Sequence, residues 1–192
     1  MTQYKHITPS HIKPVLDEIY VGENIISQQA CEELISSFSP KCKAGNTIGY
    51  SPDHRNNLCT IADKSHPIIG EIKKYCSQIT KTNQIFQEEV QFIKYEPGMY
   101  YKEHYDFFEN PRSAIPGRFG TQRLYSYLFY LNKGESGGET RFPKFKISFK
   151  PEPGKMLMWK NIKGNELNYN VLHESKATQN WTKYAIVLWI RT

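Results

Sequence analysis

The stretch Met99-Tyr100-Tyr101-Lys102-Glu103-His104-Tyr105-Asp106-Phe107 decides how this chain is read. It is rich in tyrosine and predicts a strand over 99–107. In an extended strand, side chains two apart point to the same face, so His104 and Asp106 can grip one ion together. A second histidine, His173, lies in a later apolar, strand-rich block, followed ten residues on by Lys183. Two histidines and one carboxylate on one side of a metal form the facial set of non-haem Fe(II) oxygenases, with open positions for a co-substrate and O2. Lys183 then has a task as well, because a cation deep in a β barrel needs an anion.

Each signal has an ordinary alternative. His104 and Asp106 could be a surface hydrogen-bonded pair, His173 a satisfied core histidine and Lys183 a plain strand lysine. What favours the metal reading is the context of two strand-rich blocks.

Working outward, 192 residues suffice for one domain with a sizeable core. A hydrophobic content of 39% with 14% aromatics excludes a disordered chain. No apolar run approaches the roughly 20 residues of a membrane span. The start, MTQYKHITPSHIKP, has no apolar signal region, so a cytoplasmic location is expected. Residues 1–14 read as a loose leader to a single domain over 15–192. The four cysteines, Cys31, Cys42, Cys59 and Cys76, stand at no zinc-knuckle spacing and read as reduced structural thiols.

The net charge is +6. Seven basic residues lie between Arg141 and Lys163, against the single acid Glu152. The excess suits an acidic peptide or nucleic acid, or is simply a solvated hairpin face.

Val15 to Ile25 carries a short strand signal. Ser27 is placed to cap a helix to Phe38, with Ala30, Leu34, Ile35 and Phe38 on one stripe. Residues 41–64 read as loop. Ser65 is expected to cap a second helix to Thr80, with Ile68, Ile69, Ile72, Cys76 and Ile79 inward. Strands are then predicted over about 86–95, 99–107 and 123–131, twice around Pro143, at Met156–Trp159, and over about 169–173 and 183–190. Glu109–Thr121 reads as a long irregular loop directly after the metal pair, placed as a lid. Helical support over about 27–82, followed by many short strands over about 85–191, predicts a mainly β protein. Its core would be a double-stranded β-helix (jelly roll) buttressed by helices.

The chain resembles the prolyl 4-hydroxylase family of Fe(II)/2-oxoglutarate dioxygenases from about Glu18 to Arg191. The motifs run in family order: Cys31-Glu32-Glu33-Leu34-Ile35, Tyr95-Glu96-Pro97-Gly98-Met99-Tyr100, His104-Tyr105-Asp106, Arg123 leading to Tyr130-Leu131-Asn132, and Gly137-Gly138-Glu139-Thr140-Arg141-Phe142-Pro143. Pro153-Gly154 with Trp159 and Asn161, Leu172-His173-Glu174-Ser175, and Lys183-Tyr184 with Trp189 complete the set. The resemblance implies iron ligands His104, Asp106 and His173. It implies that Lys183, helped by Thr140, pairs with the far carboxylate of 2-oxoglutarate, and that Tyr95 lines the co-substrate pocket. Arg123, Trp189, Arg55 and Tyr101 are the candidates for substrate contacts. Two departures stand out: Ser126 where the family often has threonine, and asparagine in Arg55-Asn56-Asn57 where relatives often carry a small hydroxyl residue.

The expected reaction is hydroxylation of prolyl residues in a protein or peptide, with Fe(II), 2-oxoglutarate and O2, releasing succinate and CO2. Ascorbate is the expected reductant. Proline-rich segments present a preformed polyproline II ridge that docks on aromatic grooves, and Tyr95, Tyr100, Tyr101 and Tyr105 could floor one. Loops 41–64 and 109–121 would clamp the peptide. The rivals are the same chemistry on nucleic acid, a lysyl side chain or a free amino acid, and a silent peptide-binding module on the same scaffold. A nucleic-acid or membrane partner is not the expected one.

Overall fold

The computed structural model describes residues 5–9, 12–44, 52–109 and 122–192. A β1 (Lys13–Leu16) and β2 (Ile19–Gly22) hairpin leads to α1 (Gln28–Phe38), β3 (Lys43–Ala44), β4 (Leu58–Ile61) and α2 (Pro67–Thr80). The strands that follow are β5 (Gln91–Tyr95), β6 (Tyr101–His104), β7 (Arg123–Tyr130), β8 (Thr140–Phe142) and β9 (Ile147–Phe149). Last come β10 (Met156–Lys160), β11 (Ile162–Lys163), β12 (Glu166–Leu167), β13 (His173–Ser175) and β14 (Lys183–Arg191).

Eight strands form one antiparallel sheet in the order β1-β2-β10-β7-β14-β5-β4-β3. Four more, β6-β13-β8-β9, form the second sheet. With β11 and β12 paired as a separate two-stranded ribbon, the two helices and the two larger sheets meet the expectation of a double-stranded β-helix with a helical buttress.

Strand periodicity divides the large sheet into two faces. Phe92, Tyr127, Phe129, Met156, Met158, Ile186, Leu188 and Ile190 pack with Ala30, Cys31, Leu34 and Phe38 of α1 and Ile68, Ile69, Ile72 and Cys76 of α2. Each fully buried large aliphatic or phenyl side chain there is worth about 1.5–3 kcal/mol. The alternate residues, including Ile93, Tyr95, Leu128, Tyr130, Leu157, Trp159, Ala185, Val187 and Trp189, turn inward against the second sheet. Lys183 belongs to this inward set and is 1% exposed. The face of β14 that carries Lys183, Ala185, Val187 and Trp189 is therefore the one turned toward the second sheet.

Ser27 caps α1 as expected, its Oγ accepting from the Ala30 N–H at 3.2 Å. The cap of α2 is His66, not Ser65, and Pro67 sits at the first helical position. Ser65 is instead held one residue outside, its N–H and hydroxyl both donating to Asp63 Oδ1.

Other boundaries moved. The segment 41–64 is not all loop, because β3 and β4 extend the large sheet beyond β5. The strand expected at 86–95 begins only at Gln91, after a short 3-10 turn at Gln84–Phe86. Tyr169–Val171 is another 3-10 turn, and its strand starts at His173. Within the stretch expected as a leader, Ile7 is buried and pairs with Ile26, and His6 binds Glu71. Most of the expected lid, 110–121, lies outside the described residues.

Candidate metal and co-substrate site

The site is made where the two sheets face each other. β13 pairs with β6 so that His173 and His104 stand directly opposite. The strand ends at His104, and Asp106 lies in the bend that follows, so same-face alternation is not what joins the pair. The bend still turns Asp106 inward. His104 Nε2 lies 3.8 Å from Asp106 Oδ1, and His173 Nε2 lies 3.7 Å from Asp106 Oδ2. All three side chains are buried, with ligand-type atoms within 4.8 Å of one another.

Their protonation suits a metal. His104 Nδ1 is 2.7 Å from Lys102 O, and His173 Nδ1 is 2.9 Å from Val171 O. A carbonyl can only accept, so Nδ1 carries the proton in both rings and each Nε2 offers a lone pair inward. Burial, with His173 beside it, pushes the His104 imidazole well below its ordinary value. Burial alone would raise the Asp106 carboxyl, but His173, His104 and Arg123 outweigh it and hold it below the usual carboxylate value. Two imidazole nitrogens and one carboxylate facing one another fit Fe(II) with open positions.

Lys183 lies deeper. Its Nζ donates to Gly138 O and Ser175 Oγ, each at 2.7 Å, and lies 4.7 Å from the centre of the Tyr95 ring. Burial pushes its pKa down to about 7, with Glu139 the only opposing influence. Among the described residues it has no carboxylate at ion-pair distance. A buried cation without a counter-charge, aimed into a cavity, is the chemical complement of a dicarboxylate. Gly138 makes the contact possible: its φ is +81°, and a Cβ there would meet the Trp181 ring at 2.8 Å and the Lys183 stem at 3.3 Å. Thr140 is buried nearby, but its hydroxyl accepts from Tyr130 Oη at 2.6 Å and is not a partner of Lys183.

The ten residues expected to contact metal, co-substrate or substrate (His104, Asp106, His173, Lys183, Thr140, Tyr95, Arg123, Trp189, Arg55 and Tyr101) line one cavity of about 420 Å³. Tyr101 stacks on the His104 ring, with centroids 3.5 Å apart. The Arg55 guanidinium lies over Tyr101 at 5.0 Å. Arg123 lies 3.7 Å over Trp189, is bound through two nitrogens to Glu88, and donates to Asp106 O at 3.3 Å. Tyr100 is not part of the lining; its hydroxyl donates to Asp53 O.

Several residues of the site had no role assigned from the sequence. Ser175 holds Lys183, Tyr130 holds Thr140, Glu88 holds Arg123, Ser126 holds Asp106, and Asn161 holds Ser126. Ser175, Tyr130, Ser126 and Asn161 fall in or beside the quoted motifs, which was the available signal. Glu88 carried none.

Comparison with known proteins agrees with this geometry. Residues 90–191, more than half of the chain, match the 2OG-Fe(II) oxygenase superfamily. A protein of Acanthamoeba polyphaga mimivirus is 27% identical over 98% of this chain and 78% of its own length. Prolyl 4-hydroxylase 1 of Arabidopsis thaliana is 26% identical over 90% of this chain and 68% of its own. The crystal structure of the viral collagen prolyl hydroxylase of Paramecium Bursaria Chlorella virus-1, a 2OG complex, matches with a TM-score of 0.75 at 26% identity. That match covers 92% of this chain and 97% of the viral one. A superfamily match across the strands that carry both histidines, with the His-Asp-His cluster buried between two sheets, gives one conclusion: the chain belongs to the 2OG-Fe(II) oxygenase superfamily.

Proposed function

We propose that this chain hydroxylates prolyl residues in a protein or peptide, using Fe(II), 2-oxoglutarate and O2. His104 and His173 hold the iron through Nε2, and Asp106 through its carboxylate. Bound together, the metal and 2-oxoglutarate supply the oxidative chemistry, and the protein supplies geometry and a dry site. Lys183 and Ser175 receive the far carboxylate of 2-oxoglutarate, with Tyr130 and Thr140 closing the same wall. Lys183 must hold its proton to do so, and the incoming dianion favours that proton.

The observation that carries the prolyl reading is the composition of the cavity beside the triad. Tyr95, Tyr101, Phe107 and Trp189 give the cavity an aromatic wall, and Arg55, whose Nη2 has no hydrogen-bond partner among the described residues, adds a cationic donor. An aromatic wall suits a pyrrolidine, and a guanidinium donor suits the carbonyls of an extended polyproline II backbone. Relatives bearing prolyl hydroxylase names add support.

The test is succinate release with Fe(II) and ascorbate, with and without a proline-rich peptide, for the wild type and His173→Ala. Turnover stimulated by the peptide, one oxygen atom gained by the peptide, and loss of both in the variant are expected. Turnover indifferent to every prolyl peptide, yet abolished in His173→Ala, would reject the substrate and keep the chemistry. A salt-sensitive response to nucleic acid would then favour that rival.

A further inference from the structure

We propose that Ser126 is a positioning residue that holds Asp106 as a one-oxygen metal ligand, and that Asn161 sets the direction of the serine proton. Ser126 stands on the inward face of β7 and is fully buried. Its Oγ lies 2.5 Å from Asp106 Oδ2 and 2.9 Å from Asn161 Nδ2.

The direction of these bonds follows from the inventory of protons. A hydroxyl has one proton to give, and an ionised carboxylate can only accept. The Ser126 proton therefore lies toward Asp106, and Ser126 Oγ must accept from Asn161. That fixes the asparagine amide with its NH2 toward the serine. Asn161 is anchored to hold this pose. It is fully buried, its N–H donates to Leu124 O at 2.8 Å, and its carbonyl accepts from the Asn168 N–H at 2.9 Å. Its Oδ1 is buried with no hydrogen-bond partner among the described residues. The protein leaves that oxygen unpaired to keep the Nδ2 donor facing Ser126.

The consequence concerns the number of open metal positions. A carboxylate that chelates through both oxygens takes a position that the co-substrate or O2 needs. A short bond from a hydroxyl to a charged oxygen is among the stronger hydrogen bonds, and here it occupies Oδ2. Oδ1 is the oxygen left for the metal. Arg123 Nη1 holds the backbone oxygen of the same aspartate, so Asp106 is fixed at both ends.

This inference rests on the metal reading of the triad, and Mn(II) as a redox-stable probe tests the two separately. Affinity for Mn(II) is measured by calorimetry on apo wild type, Ser126→Ala, Ser126→Thr and Asn161→Leu. The visible absorption band of the anaerobic Fe(II) protein with 2-oxoglutarate is recorded for each. Ser126→Ala is expected to bind Mn(II) at least ~10-fold more weakly and to show a shifted band. Ser126→Thr should restore both, and Asn161→Leu should fall between. Ser126→Ala with wild-type affinity and an unshifted band overturns the proposal. Equal losses in Ser126→Ala and Ser126→Thr, both folded by circular dichroism, also overturn it, because packing and not the hydroxyl would be responsible. A wild type that fails to bind Mn(II) rejects the metal reading, and this inference with it.

Discussion

Replacing Lys183 with methionine should make the ligand-free protein lose one specific pH dependence. In the unfolded chain this lysine keeps its proton up to about pH 10.5, whereas in the fold it gives the proton up near 7. Between those values the unfolded state binds one proton more, so stability rises with pH. The slope is about 1.4 kcal/mol per pH unit. From pH 7.5 to 9.5 the wild type should therefore gain roughly 2–3 kcal/mol that Lys183→Met does not. Methionine has nearly the same volume but leaves Gly138 O and Ser175 Oγ without their donor, so the absolute stability difference mixes two effects. The change in that difference with pH isolates the charge, because the other titrating groups are common to both proteins. Urea unfolding of both apo proteins at the two pH values supplies the numbers. Parallel curves would show that Lys183 reaches water and keeps an ordinary pKa, refuting the buried-cation argument. Ligand binding supplies the opposite sign. A dianion that favours the protonated lysine should draw in a proton at pH 8, seen by calorimetry in buffers of different ionisation enthalpy.

Four further outcomes are expected. His173→Ala should bind Mn(II) at least ~10-fold more weakly and lose 2-oxoglutarate turnover while still folding by circular dichroism, because one of the three ligand groups is gone. Gly138→Ala should cost about 1–3 kcal/mol in denaturant unfolding and weaken 2-oxoglutarate binding, because its backbone is at φ +81° and its Cβ meets Trp181 and Lys183. Arg123→Lys should raise the peptide KM more than it lowers kcat, because a lysine keeps the charge but not the two-nitrogen grip on Glu88 or the stack on Trp189. Brief alkylation of the native protein at pH 8 should modify the half-exposed Cys42 and Cys59 before Cys31 and Cys76. Burial pushes the Cys31 thiol up to about 12, the Cys76 thiol well above its usual range and the Cys42 thiol to about 11, so access of the reagent, greater at Cys42 and Cys59, sets the order. Equal labelling of all four, read by mass spectrometry, would contradict the packing of the helices on the sheet.

Long periodic elements were legible and short ones were not. The α1 stripe and its Ser27 cap, β7 and β14 each carry several residues of one pattern, so local sequence suffices to define them. Leu58-Cys59-Thr60-Ile61 is only four residues set among polar neighbours, and it is a strand because β5 offers it an edge. The histidine cap of α2 escaped notice because Pro67, and not a side-chain hydrogen bond, starts that helix. Strand alternation predicted that His104 and Asp106 share a face. They do converge, but through a bend beyond the strand end.

Residue type and order alone determined the donor chemistry of this protein. Two histidines, one aspartate, a lysine and their succession along the chain are properties of the covalent sequence, and they already limit what can be bound. The tertiary structure alone decided how those groups are held. Lys183 meets Gly138 across 45 residues, Ser126 meets Asp106 across 20, and Asn161 meets Ser126 across 35. Such meetings depend on the register of strands distant in sequence, and a shift of one residue in β7 or β14 would turn Ser126 or Lys183 to the other face.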